Sequence, residues 1–372
     1  MNATRSVIGG LTALVAAMLF GTAAVHAQGC VAIRSTGSTA CLMTGVEGEY
    51  QPSWVVSANN RYFRSFRHFV GRKEQAQRLE QDTEVVNHSY TTDLYLQRRL
   101  GPRWSVALDV PVIRNTRSSL YEHGGNAAGP AGRHTTQSFG IGDLRVTAYG
   151  WLRQPGLGLR WNVQAGLGLK LPTGDYRYQD YFVRNDSTRV LGPVDQSIQL
   201  GDGGTGFAVE LNGHAALSPR LAAYGTFYYL VNPRAHNGVS TARGGPASAT
   251  AALYRSDVMS VPDQVMLRLG GTCVFGRLSA SLGGRYEAIP VHDLIGGSEG
   301  FRRPGYVISA EPGLSWRLAP GSTVHLTVPW ALVRDRTQSV PDKIRTEITG
   351  AYAQGDAAFA DYSVLLGVSI GL

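Results

Sequence analysis

The sequence predicts an all-β protein: a transmembrane antiparallel up-and-down β-barrel of about 12 strands, with short periplasmic turns and long external loops. Three observations carry this. Stretches of about ten residues alternate apolar and polar side chains along the whole chain, as strands do when one face meets hydrocarbon and the other water. The connections alternate short, then long. Only 17% of the 372 residues are charged, against roughly 25% in soluble globular proteins.

The first 27 residues read as a signal peptide. Arg5 supplies a positive start, Val7 to Ala24 an apolar run, and Val25-His26-Ala27 a small-x-small cleavage site. No later segment has about 18 consecutive apolar residues, so the chain does not read as a helical membrane protein. A closed sheet, in contrast, satisfies its backbone hydrogen bonds without water. Residues 28–50 are polar, and Cys30 and Cys41 bracket a Gly/Ser/Thr-rich loop in an oxidising compartment, so a disulfide staple is expected. This segment is expected to sit in the barrel mouth as a cap. Cys273 lies among apolar residues and reads as a small hydrophobe. The cysteine spacing gives no zinc pattern, and no metal or cofactor is predicted. The barrel itself is assigned to residues 51–372.

The net charge of +8 raises nucleic acid as a partner. The basic residues are scattered and accompany no recognition motif, so that class is excluded. Attraction to lipopolysaccharide phosphates accounts for them instead.

The strands follow in order. The first runs near Trp54 to Arg64. A polar segment, Arg67 to Glu84, follows with a short helix near Glu74 to Gln81, and its basic residues and those just before it (Arg61, Arg64, Arg67, Arg72, Lys73, Arg78) read as a solvated face. The second strand, Ser89 to Leu100, sends Leu94 and Leu96 outward and Asp93 inward. After Gly101-Pro102-Arg103, the third sets Trp104, Val106, Leu108, Val110 and Val112 against Ser105, Ala107 and Asp109. A Gly-rich loop, Glu122 to Gln137, leads to the fourth, Phe139 to Arg153. There Phe139 and Ile141 are out of phase with Leu144 and Val146, so a bulge is expected near Gly140 or Gly142. The fifth, Arg160 to Asp175, puts Trp161, Val163, Ala165, Leu167 and Leu169 on one face and Asn162, Gln164, Gly166, Gly168 and Lys170 on the other. The longest loop, Tyr176 to Gly204, follows.

Strand six has Phe207, Val209 and Leu211 out and Glu210 and His214 in. Strand seven runs from Leu221 to Val231. Strands eight and nine carry Arg268, then Arg285 and Glu287, on their polar faces. Strand ten carries Glu311 and Arg317, and strand eleven His325. The last strand alternates Tyr362, Val364, Leu366, Val368 and Ile370 to Leu372. Trp residues near strand ends fit interfacial girdles.

The segments Gly140-Ile141-Gly142-Asp143-Leu144-Arg145 and Gly166-Leu167-Gly168-Leu169-Lys170-Leu171-Pro172-Thr173-Gly174-Asp175 resemble those of the outer-membrane transporter-like family associated with the meta-cleavage pathway of phenol degradation. The resemblance implies uptake of hydrophobic small molecules across a Gram-negative outer membrane, with no enzymatic step.

Candidate functional residues are the inward polar set: Asp93, Asp109, Asp143, Arg145, Lys170, Glu210, His214, Arg268, Arg285, Glu287, Glu311, Arg317 and His325. They are expected to form an ion-pair network, a solute path, or both. The expected function is a porin-like channel or transporter for passive passage of small, hydrophobic or aromatic solutes. Its expected partners are outer-membrane lipid and lipopolysaccharide, the barrel-assembly machinery and the solute. The alternative class is a surface barrel of another kind, a phospholipase-like hydrolase or an adhesin. A hydrolase needs His, Ser and a polar orienter together. His88 and Ser89 are adjacent, so on a strand they face opposite ways.

Overall fold

Twelve antiparallel wall strands close on themselves in the computed structural model, which describes residues 52–372 apart from Leu157. They are β1 (Trp54–Val70), β2 (Val86–Arg99), β3 (Trp104–Ser119), β4 in two pieces (His134–Ile141 and Arg145–Trp151), β5 (Trp161–Lys170) and β6 (Gly206–Ala216). The second half comprises β7 (Leu221–Val231), β8 (Gln264–Phe275), β9 (Leu278–Ile289), β10 (Gly305–Ala319), β11 in two pieces (Ser322–Thr327 and Trp330–Asp335) and β12 (Ala357–Gly371). Each pairs with its sequence neighbours. The seam is closed by β1 and β12, from Val55 opposite Gly371 to Phe69 opposite Ala357. A closed wall leaves no sheet edge unpaired, which hydrocarbon requires, and it removes a soluble two-sheet sandwich from consideration. The expected signal peptide, the Cys30–Cys41 staple and the 28–50 cap lie outside the described residues.

The two faces are sorted as the period-two pattern demands. On β5, Trp161, Ala165, Leu167 and Leu169 are exposed outward, and Asn162, Gln164, Gly166, Gly168 and Lys170 are buried inward. Leu167 is 70% exposed, as a lipid-facing side chain should be. Replacing Leu167 with arginine is expected to lower the unfolding free energy of the lipid-reconstituted barrel by ~2–4 kcal/mol, the cost of a cation near the bilayer midplane. Urea titrations of the two proteins measure the difference.

The bulge is where its phase shift places it. Ile141 pairs with Val112 and Arg145 with Asp109, so β4 carries one residue more than β3 across that interval. A second bulge interrupts β11, where Ile308 faces Val333 and Ser309 faces Ala331. The short connections 100–103, 217–220, 276–277 and 320–321 lie at one end, with 152–160, and the long ones at the other.

Two expectations are corrected. β1 does not stop at Arg64 but continues to Val70, because the barrel wall stands higher on this side. Arg61 is consequently buried in the wall, and Arg67 bridges Glu74 and Asp361, 3.2 Å from the latter, so neither belongs to a solvated face. The helix after it is shorter, Gln77–Glu80. Part of the long loop after β5 folds down into the barrel.

Candidate functional site

The barrel interior holds most of the predicted polar set, sorted into separate networks. Arg145 on β4 meets Asp109 on β3 at 2.9 Å and Glu210 on β6 at 3.9 Å. The Tyr149 hydroxyl donates to the same glutamate at 2.9 Å. On the opposite wall, Glu311 of β10 accepts from Arg268 Nε at 2.9 Å and pairs with Arg285 at 3.2 Å, while Arg285 also holds Glu287 at 2.8 Å. Both networks are buried, so their charges stand only because each is matched. Asp93 and His325 are buried inward as expected. His214 sets its ring edge-on to Trp151, 5.9 Å away. Arg317 departs from the prediction: it sits at the rim of the short turns and donates to Gly276 O, away from the networks.

Lys170 opens a third network, and it leads into the loop that follows β5. Lys170 pairs with Asp143 at 3.8 Å and closely with Asp202. Asp202 ends the stretch Asp195–Asp202, which crosses the lumen. Inside it, Ile198 is held through its carbonyl by the Ser138 hydroxyl at 2.5 Å and by Asn115 Nδ2 at 3.4 Å, both from the wall. Ile198 and Leu200 are buried there.

The two motif segments are the seat of this plug. Asp143 accepts from Gly174 N at 3.0 Å and from Asp202 N at 3.1 Å. Thr173 Oγ1 accepts from Leu144 N and donates to Gly142 O, both at 2.9 Å, tying β4 to the end of β5. The glycines make room. A Cβ at Gly140 would lie 2.8 Å from Leu200 Cδ1, and one at Gly174 would lie 2.7 Å from Leu200 O and 2.8 Å from Gly201 N. Contact with backbone at that distance cannot be relieved by a rotamer change.

The outer end of the plug is clasped by arginines. Asp195 takes a bidentate pair from Arg303 at 2.8 and 2.9 Å, with Arg243 at 3.3 Å and Arg117 at 3.5 Å. Glu122 beside it holds Arg117 at 2.9 Å and also Arg243. Burial pushes the Asp195 carboxyl up, and Arg117, Arg303 and Arg243 outweigh burial and hold it well below the usual carboxylate range. Burial likewise opposes, and His68 and Arg78 override, at Asp356, which lies at about 2. His123 is driven down to about 4, chiefly by burial.

These depressed groups stabilise the external layer at neutral pH and lose that contribution as pH falls. For His123 the loss runs from its ordinary 6.5 down to about 4. For the carboxylates it begins near their unfolded value, about 3.9. Hydrogen exchange of the Asp195–Asp202 amides is therefore expected to be steady from pH 8 to 7, to quicken modestly between 6.5 and 4, and to rise steeply below. The intrinsic exchange rate must be divided out.

The plug divides the lumen. Outside it lies a vestibule of about 420 Å³ bordered by Arg117, Tyr121, Arg303, Arg336 and Asp356. Beside it is a pocket of about 90 Å³ that Ser197, Ile198 and Gln199 share with Ser89, Thr91 and Gln264. Beneath it a chamber of about 40 Å³ is lined by Leu200, Tyr228 and Leu230 together with Asp93, Asp109 and Lys170. The residues missed from sequence are thus Arg117, Glu122, Asp195, Asp202, Arg243 and Arg303. Only Arg117 had a readable signal, since it keeps the inward phase of β3 beyond Val112.

A family model described as "Putative MetA-pathway of phenol degradation" matches residues 71–188, a stretch that contains both motif segments. By fold, the chain is similar to an outer membrane channel from Pseudomonas putida F1, at a TM-score of 0.56 and 11% identity over 87% of this chain and 97% of that one. The translocator domain of the autotransporter NalP from Neisseria meningitidis follows at 0.46 and 12%, covering 87% and 91%. The toluene transporter TodX of Pseudomonas putida stands at 0.43 and 8%, covering 91% and 95%. The architectural likeness rests on the first of these. No curated protein matches by sequence.

Proposed function

We propose that this chain is a non-enzymatic outer-membrane channel for passive passage of small hydrophobic or aromatic solutes, gated by the Asp195–Asp202 plug. Export by residues 1–27, capping by a stapled segment 28–50, insertion by the barrel-assembly machinery and contact with lipopolysaccharide belong to the same reading. The observation that carries it is the make-up of the plug. Between polar residues that tie it to the wall, it sets two apolar side chains, Ile198 and Leu200, in the lumen, and the walls around them include Ile113, Tyr228 and Leu230. A small aromatic molecule of similar size can take their place and keep those walls dry, which a sugar cannot do without leaving hydroxyls unpaired. The family match over 71–188 and the barrel architecture support the same class.

The test is uptake by cells whose lipopolysaccharide outer leaflet is otherwise a barrier to apolar solutes, alongside single-barrel currents in planar bilayers. The barrel is expected to speed uptake of a labelled monocyclic aromatic, not of a disaccharide, and that aromatic is expected to modulate the ion current. A barrel that carries no current and no aromatic, yet releases fatty acids from lipid, would overturn the proposal.

A further inference from the structure

The rim of short turns carries a charge pattern that passage through the lumen does not use. Arg99 and Arg103 flank the first of these turns, and Arg153 and Arg160 the second. Arg220 lies in the third and Arg277 in the fourth, where Arg317 reaches across from β10 to Gly276 O at 3.1 Å. No Asp or Glu occurs in the stretches 94–108, 144–174, 211–256, 264–286 or 312–334. Among the described residues, every carboxylate side chain therefore lies in the lumen or toward the opposite end.

Two arginines of this end, Arg98 and Arg153, are set at the edge of the hydrocarbon. The Arg98 guanidinium stacks on Trp54, 5.1 Å from the ring centre, and that of Arg153 on Trp161 at 5.2 Å. Both tryptophans project outward, as do Trp104 and Trp316. Arg103 donates to the carbonyls of Trp151 and Leu152 at 2.9 and 2.7 Å, which pins the neighbouring turn.

We infer that this rim is an arginine collar that binds the phosphodiester headgroups of anionic phospholipid in the periplasmic leaflet. The inference rests on the outer-membrane reading, which sets the short turns toward the periplasm, but not on transport. Interfacial tryptophan fixes the depth of the collar. The guanidinium fork matches phosphate oxygens two at a time. Seating on lipid-facing tryptophans favours a lipid over an acidic protein, which would meet the collar from below.

The collar's own tryptophans report on it. The full barrel is reconstituted in phosphatidylcholine bilayers containing a small fraction of brominated phosphatidylglycerol, and quenching of tryptophan fluorescence is compared with that from brominated phosphatidylcholine at the same fraction. Each cation near an anionic surface shifts partitioning by about fivefold, so enrichment of the anionic lipid by roughly tenfold or more is expected. Replacing Arg153, Arg160, Arg220 and Arg277 with glutamine should bring the two lipids level, replacing them with lysine should retain most of the preference, and salt should weaken it. Equal quenching by both lipids in the native barrel would overturn the inference. So would a preference that survives the glutamine replacements, since the headgroup would then be recognised elsewhere. Ion current read in the same bilayers bears on transport alone, so failure of the channel and failure of the collar are told apart.

Discussion

Replacing Glu311 with alanine is expected to cost the barrel ~3–5 kcal/mol, because it leaves the buried Arg268 without its carboxylate and removes one of the two that hold Arg285. Arg268 and Arg285 both reach Glu311 from neighbouring strands, and the side chains of all three are nearly inaccessible to solvent. With the carboxylate gone, Arg285 retains Glu287 at 2.8 Å, whereas Arg268 faces the ring of Tyr224 at 5.9 Å. Urea unfolding of the reconstituted barrel measures the loss. The informative companion is the quadruple replacement of Glu311 and Glu287 by leucine and of Arg268 and Arg285 by methionine, which removes every charge of the cluster. An intact charge cluster repays little more than its own desolvation, so the quadruple variant is expected to lose far less than the single one. A single variant as stable as the native barrel would mean that water reaches these arginines, and that the lumen is open at this level.

Replacing Gly174 with valine is expected to unseat the plug and raise single-barrel conductance. The added carbons would meet Leu200 O and Gly201 N at contact distances that only backbone movement can relieve. Overpacking of this kind costs ~1–3 kcal/mol, which converts to a roughly 5- to 150-fold shift away from the seated state. The wall should survive, because Gly174 lies beyond the last residue of β5 and takes no part in its ladder. Valine at Gly101, which has open space about it, is the control and should leave conductance unchanged. If Gly174→Val leaves conductance at the native level while the barrel folds, the segment does not limit passage.

The wall was legible because lipid imposes a rule that each residue must obey by itself. Leu167 and Lys170 need no partner to declare their faces, and even the bulge at Gly142 could be read from the phase of Phe139 against Leu144. The inward polar set followed from the same parity, and Asp361 of β12, joined to Arg334 at 3.1 Å, could have been added on that basis. The plug was not legible. Its residues alternate with nothing, and the reason for its path lies in Asp143, Lys170 and Arg303, which are distant in sequence and converge only when the wall has closed. The motif glycines were visible as a resemblance. Their purpose, letting a loop backbone rest against β4 and β5, could not be inferred without knowing which loop comes to rest there.

Because the plug is tethered to the wall at both ends, it acts as a resident competitor whose effective concentration never changes with the amount of protein or solute outside. On the proposed channel reading, a visiting molecule would have to out-compete Ile198 and Leu200 for the same surfaces. Selectivity would then be a matter of displacement rather than of bore, and a molecule too polar to replace the leucine would be refused, however small it is.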